Sequence, residues 1–232
     1  MAALNLQHRS QPAPADFPGL LDLLAQRPAP AVIWYSGDGD RVELSGRVLA
    51  NWVTKLIGLF DQESELSQGD AAVVDMPAHW KACAVSLALG AVGVEVTAAP
   101  ADAGAALVVS DRPDEWLAGR LPAGAELAAL STGMLDESFQ SATGEQIPPW
   151  VLDVSAEVRS FPDQLLSPLE PHELPHRDRP ASAPVLITEW KDGSYEELVA
   201  AAAHSVPVVL FSGEPAGEHW EQMRRNEGLC GD

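Results

Sequence analysis

The sequence predicts an α/β protein built on a mostly parallel, doubly wound sheet with helices on both faces. Three observations carry this. Gly69 to Val96 reads strand, helix, strand within one short unit; further apolar runs recur with helical patterns between them; and the apolar period switches repeatedly between two and about 3.6. Within the unit, Ala71 to Asp75 is a short apolar run bounded by Gly69-Asp70 and Pro77. Ala78 to Leu89 then places Trp80, Cys83, Ala84 and Leu87 on one helical face, Gly90 is the expected helix stop, and Val92, Val94 and Val96 return to a β-branched strand. A crossover of this kind is almost always right-handed, with its two strands parallel.

The remaining elements follow in order. Met1 to Ala15 is polar, holds Pro12 and Pro14, and is expected to fray. Phe17 to Gln26 predicts a short helix, Ala31 to Tyr35 a strand, and Ser36 to Asp40 a turn into a paired strand at Arg41 to Leu44. Asx-turn chemistry accounts for Asp38 and Asp40 in that turn. Ser45 is a good N-cap for a long helix whose apolar face comprises Val48, Leu49, Trp52, Val53, Leu56, Ile57 and Phe60. After Val96 an Ala/Pro/Gly-rich segment precedes a strand at Ala106 to Ser110, a short helix or turn with Trp116, a strand at Ala125 to Leu130 and an exit loop at Ser131 to Gly133.

From Gln146 to Pro184 eight prolines forbid a long helix, which predicts an irregular crossing with one strand near Val151 to Val154. Val185 to Thr188 resumes as a strand. Ser194 is expected to cap a helix through Ala203, Val206 to Phe211 is a last apolar strand, and a polar helix closes the chain. The organisation expected is a frayed segment 1–15, a core 16–145, a proline-rich crossing 146–184, and a strand-helix-strand unit 185–232 that completes the core or forms a small lobe.

This order of signals resembles the N-terminal part of the acyl-adenylate-forming superfamily, which includes acyl-CoA synthetases and adenylation domains. The residues that carry the likeness are Leu44-Ser45-Gly46-Arg47-Val48-Leu49, Gly69 to Val74, Met76-Pro77 and Leu89 to Val92, within roughly Pro28 to Asp111. All are scaffold positions. The resemblance implies ATP-dependent activation of carboxylic acids, which needs a glycine-rich Ser/Thr loop whose amides and lysine hold phosphates. After the strand Val185 to Thr188, where that loop belongs, the chain reads Glu189-Trp190-Lys191-Asp192-Gly193-Ser194, so two carboxylates and an indole replace it. Phe211 to Gly217 offers two glycines after a strand but neither the Thr pair nor the lysine.

Thr188, Lys191, Gly193, Ser212 and Gly213 are therefore the candidates for contact with a nucleotide, and ATP or AMP is the ligand they would meet. No catalytic residue is assigned and no cofactor is expected. The reading is a catalytically inactive relative that works as a binding or interaction module, with a protein partner, a second copy or a small molecule as its ligand. The alternative is a diverged or partner-completed acyl-adenylating enzyme or acyl-CoA ligase.

Composition narrows the partners. Lys+Arg 14 against Asp+Glu 34 gives a net charge of −20, which repels nucleic acid and anionic lipid surfaces. No apolar run approaches the roughly 20 residues of a membrane span, so a cytoplasmic protein is expected. Cys83 and Cys230 cannot make a disulfide framework, and Cys83 reads as a small buried hydrophobe. His172-Glu173-Leu174-Pro175-His176 matches the H-E-x-x-H pattern of zinc peptidases, but that motif needs a helix and Pro171, Pro175 and Pro180 oppose one, so no metal is assigned. Ser45, Ser131 and Ser212 lack a nucleophile-elbow context. Of the seven tryptophans most are expected in the core, although Trp80 could line a groove.

Overall fold

A computed structural model describes residues 13–98, 104–134, 136–175 and 183–229. In chain order its elements are α1 (Phe17–Ala25), β1 (Pro30–Ser36), β2 (Arg41–Ser45), α2 (Gly46–Glu63), β3 (Ala71–Asp75), α3 (Trp80–Ala91), β4 (Glu95–Thr97), β5 (Ala105–Ser110), α4 (Pro113–Glu115), β6 (Glu126–Ala129), α5 (Phe139–Thr143), β7 (Leu152–Asp153), α6 (Val154–Glu157), β8 (Val185–Ile187), α7 (Ser194–Ala203), β9 (Val208–Ser212) and α8 (Gly217–Asn226). The α/β class and the mostly parallel pairing hold, and the strands divide into two sheets rather than one. One has the order β2-β1-β9-β8, with only the β1–β2 hairpin antiparallel, and the other is β4-β3-β5-β6-β7, parallel throughout. The proline-rich stretch thus delivers β7 to the second of these sheets, while β8 and β9 join β1 in the first.

Alternation along the strands explains the layering. Ala72 and Val74 face one way, with Val32, Val208 and Leu210 of the other sheet, and share a single apolar cluster with α1, α2, α3 and α7. Val73, Val108 and Ala129 face the opposite way and meet Trp116, Phe139 and Val151. Ile33, Val209 and Phe211 point outward from the four-stranded sheet, where α8 covers them with Trp220 and Met223. A helical layer is therefore enclosed by two sheets. No helix among the described residues is long and apolar enough to cross a membrane.

Several expectations need correction, most of them because of packing. The helix α3 is not one-sided: every residue from Trp80 to Ala91 is buried, because it touches β1 of one sheet and β3 and β4 of the other as well as α2 and α7. Trp80 accordingly lies in the core, edge-on to Trp52 at 5.1 Å. Gly90 is not a stop but an interior residue, since Tyr195 and Phe17 press against its α-carbon; the chain turns instead at Gly93, where φ is +81°. On α2, Ser45 caps as expected by accepting from Val48 N, yet Val48 itself is 41% exposed. Ser194 is the first residue of α7 rather than its cap; Gly193 holds that place with φ +90°, and the Ser194 hydroxyl accepts from Lys191 N at 3.1 Å. In the hairpin turn it is Ser36 Oγ that accepts from Asp40 N, at 2.9 Å. Met1 to Pro12, His176, Pro180 and Cys230 lie outside the described residues.

Candidate functional site

Parallel strands of both sheets end on the same side of the molecule, and their carboxyl ends open into a cleft of about 950 Å³. Asp75 closes β3, Asp111 follows β5, Thr188 follows β8 and Ser212 closes β9. This is where α/β proteins place ligands, because loops there are free to vary above a rigid frame. Of the residues singled out from sequence, Thr188, Ser212 and Gly213 meet here. Lys191 and Gly193 do not. They line a smaller neighbouring cleft of about 440 Å³ with Thr97 and Tyr195, and Trp190 lines both.

The chemistry of these candidates is already committed. Ser212 Oγ accepts from Trp34 Nε1 at 2.7 Å and donates to Ala78 O at 2.6 Å, while its backbone oxygen accepts from Gly37 N. The hydroxyl thereby ties the end of β9 to the turn before α3. A side chain on Gly213 would come within 2.8 Å of Gly37 Cα, so glycine there serves the close approach of two backbones. Lys191 Nζ faces Glu189 of its own loop at 3.3 Å, with both side chains exposed. Asp192 anchors the loop by accepting from Thr97 Oγ1 at 3.0 Å and Ala98 N at 3.3 Å.

Sequence reasoning missed the charged wall of the cleft. Asp75 Oδ2 accepts from Trp116 Nε1 at 2.8 Å and from Ser110 Oγ at 3.3 Å, and Asp75 Oδ1 pairs with Arg112 at 3.2 Å. Arg112 also meets Glu115 at 2.8 Å and Asp111 at 3.6 Å. Burial lowers its pKa, but Asp75, Glu115 and Asp111 together outweigh that and hold the guanidinium above its ordinary value. Burial pushes the Asp111 carboxyl up, Arg112 opposes and Asp75 adds to the rise. The available signal was positional: an acidic residue at or just past the end of a predicted parallel strand points into such a cleft.

The remaining motifs are structural. Residues 172–175 are not helical; Phe17 N donates to His172 O and Glu173 bridges to Asp16, so the H-E-x-x-H match lacks the helix it requires. Among the described residues no group of three or more His, Cys, Asp or Glu could hold a metal ion. Cys83 is fully buried, and burial raises its thiol pKa far above the ordinary value, which leaves it inert as a nucleophile. Ser131 Oγ contacts Asp136 and Ser155, not a histidine.

No protein-family model matches the sequence. A Mycobacterium tuberculosis protein that carries only a numbered family designation is 31% identical over 147 residues, covering 62% of this chain and 58% of that protein. The fold is that of the N-terminal part of acyl-CoA synthetases and adenylation domains. An acyl-CoA synthetase of Brucella canis superposes with a TM-score of 0.70 at 16% identity, over 95% of this chain and 47% of its own. The N-terminal domain of FACL13 from Mycobacterium tuberculosis gives 0.63 at 12% identity, over 93% and 61%. An acetoacetyl-CoA synthetase of Streptomyces lividans gives 0.66 at 15% identity, over 87% and 39%. The chain thus spans less than two thirds of the length of each.

Proposed function

We propose that residues 1–232 form a ligand-binding module on the acyl-adenylate-forming scaffold and do not by themselves activate carboxylic acids with ATP. One observation carries this. Arg112 is the only cationic side chain lining the cleft among the described residues, and three carboxylates already neutralise it. A triphosphate entering there would meet Asp75, Asp111 and Glu189 with no free cation to offset them, and without a glycine-rich loop to turn backbone N–H groups toward it. The residues present do not fit ATP. They suit an uncharged or cationic small molecule that can use Thr188 and the carboxylates as acceptors.

Incubating the purified chain with magnesium ATP and a panel of carboxylic acids tests the reading. Pyrophosphate should stay at the level of the protein-free blank. Release that scales with protein concentration would instead support the second reading, in which a diverged site still forms acyl-adenylates. That alternative has its own support: each similar synthetase is much longer than the part this chain spans, so a partner chain or further polypeptide could complete the cleft.

A further inference from the structure

A further cavity lies where the ends of α2 and α3 meet the segment 162–172, and it encloses about 210 Å³. A void of roughly 150 Å³ is enough for benzene, so one ring with a short substituent fits here. Ile57 of α2, Val92 just past α3, and Leu165 and Leu169 of the segment make the walls largely apolar. Leu165 is 37% exposed and its neighbour Leu166, also in the lining, is 74% exposed, the most uncovered large apolar side chain among the described residues. Apolar side chains grouped around a concavity, unlike ones scattered singly, mark a binding surface.

The electrostatics of this cavity have one sign. Asp61 and Glu170 line it, and among the described residues neither carboxylate has a hydrogen bond or an ion pair. No lysine or arginine lines it; the adjacent Lys55 is held by Asp163 at 2.9 Å and by the Phe161 carbonyl. His172 packs its ring against Gly93. Two helices also end here: Asp61 is in the last turn of α2, Ala91 closes α3, and neither last turn carries a basic residue. A helix C-terminus carries about half a unit of negative charge, so Asp61 opposes the dipole of its own helix. Carboxylates and helix ends thus place the same charge around an apolar hollow. We propose that the cavity binds a small organic cation, whose ammonium group sits beside Asp61 and Glu170 and whose apolar body lies against Ile57, Val92 and Leu165. A neutral molecule of the same shape gains only the apolar contact, and an anion is repelled. Both carboxylates are on exposed residues, where each ion pair contributes little, so the preference for charge is several-fold.

Calorimetric titration with phenethylammonium, phenethyl alcohol and 3-phenylpropionate at low salt tests this. The ammonium should bind saturably, the alcohol about threefold or more weaker, and the carboxylate should give no saturable heat. The double variant Asp61→Asn/Glu170→Gln should bring the ammonium down to the affinity of the alcohol and leave the alcohol unchanged. Leu165→Ser should weaken both alike. All three positions are exposed, and unaltered melting temperatures check that the variants fold. Ammonium binding that survives the double variant would belong to the acidic cleft at the strand ends, with which this cavity shares no residue, and would overturn the proposal. So would equal affinity for ammonium and alcohol, or no saturable heat from the ammonium at millimolar concentration. Sedimentation covers the remaining occupant: self-association of the chain that Leu166→Ser abolishes would give the groove to a second copy and overturn the proposal as well.

Discussion

His79 stands at the start of α3 and accepts the N–H of Lys81 through Nδ1 at 3.2 Å, an N-cap made by an imidazole that is 1% exposed. Burial, and then the neighbouring Lys81 charge, push its pKa down to about 3 against the weaker opposing pull of Asp136. The unfolded chain would take up that proton near pH 6.5, whereas the folded chain refuses it until about pH 3. Stability contributed by neutral His79 is therefore present above pH 6.5 and is lost as pH falls toward 3, by up to about 5 kcal/mol. Denaturant titrations across that range should show a shallower loss for His79→Asn, which keeps a capping acceptor and does not titrate. A wild-type and variant pair with parallel profiles would remove His79 from the account. Gly90 makes a second residue-level case. A β-carbon there would overlap Tyr195 Oη and sit 2.7 Å from Phe17 Cζ, so Gly90→Ala should cost about 2–3 kcal/mol by urea unfolding, although alanine is the better helix former. In the sequence that glycine has the look of punctuation. A glycine demanded by a neighbour remote along the chain looks no different, locally, from one demanded by its own φ.

At the scale of elements, legibility followed range. The apolar period of α2, its Ser45 cap and the β1–β2 hairpin were readable because each is decided within a few residues. Removing the cap by Ser45→Ala should lower stability by about 1 kcal/mol, and Ser45→Asp should restore it. Val48 shows the limit of the same reasoning. It falls on the apolar arc by spacing, but it is 41% exposed, so Val48→Lys should change the unfolding free energy by less than about 0.5 kcal/mol. A large loss would return Val48 to the core face. Sheet membership was not readable at all. Pairing of β1 with β9 runs from Val32–Val208 to Ser36–Ser212, across about three quarters of the chain, and nothing in either strand names the other. For the same reason the complete burial of α3 was hidden: the spacing marks one apolar face, and the rest is covered only when two sheets and three helices close over it.

At the scale of the whole molecule, what could be read of the site was what it lacks. Two carboxylates and an indole, rather than a glycine-rich Ser/Thr run, stand at Glu189 to Ser194, and the structure adds that Ser212 and Gly213 are spent on holding β9 to the turns around it. Missing from the sequence reading were Asp75, Asp111 and Arg112, because they come from separate strands and meet only when β3 and β5 lie side by side. A net charge of −20 adds a long-range field of the same sign as the cleft, one that salt screens over about 10 Å at 0.1 M. Calorimetric titration of the chain with magnesium ATP at low and at moderate salt tests the central claim most directly. The account predicts no saturable heat at millimolar nucleotide under either condition, whereas a binding isotherm with unit stoichiometry, abolished by substitutions at Thr188 or Arg112, would contradict it.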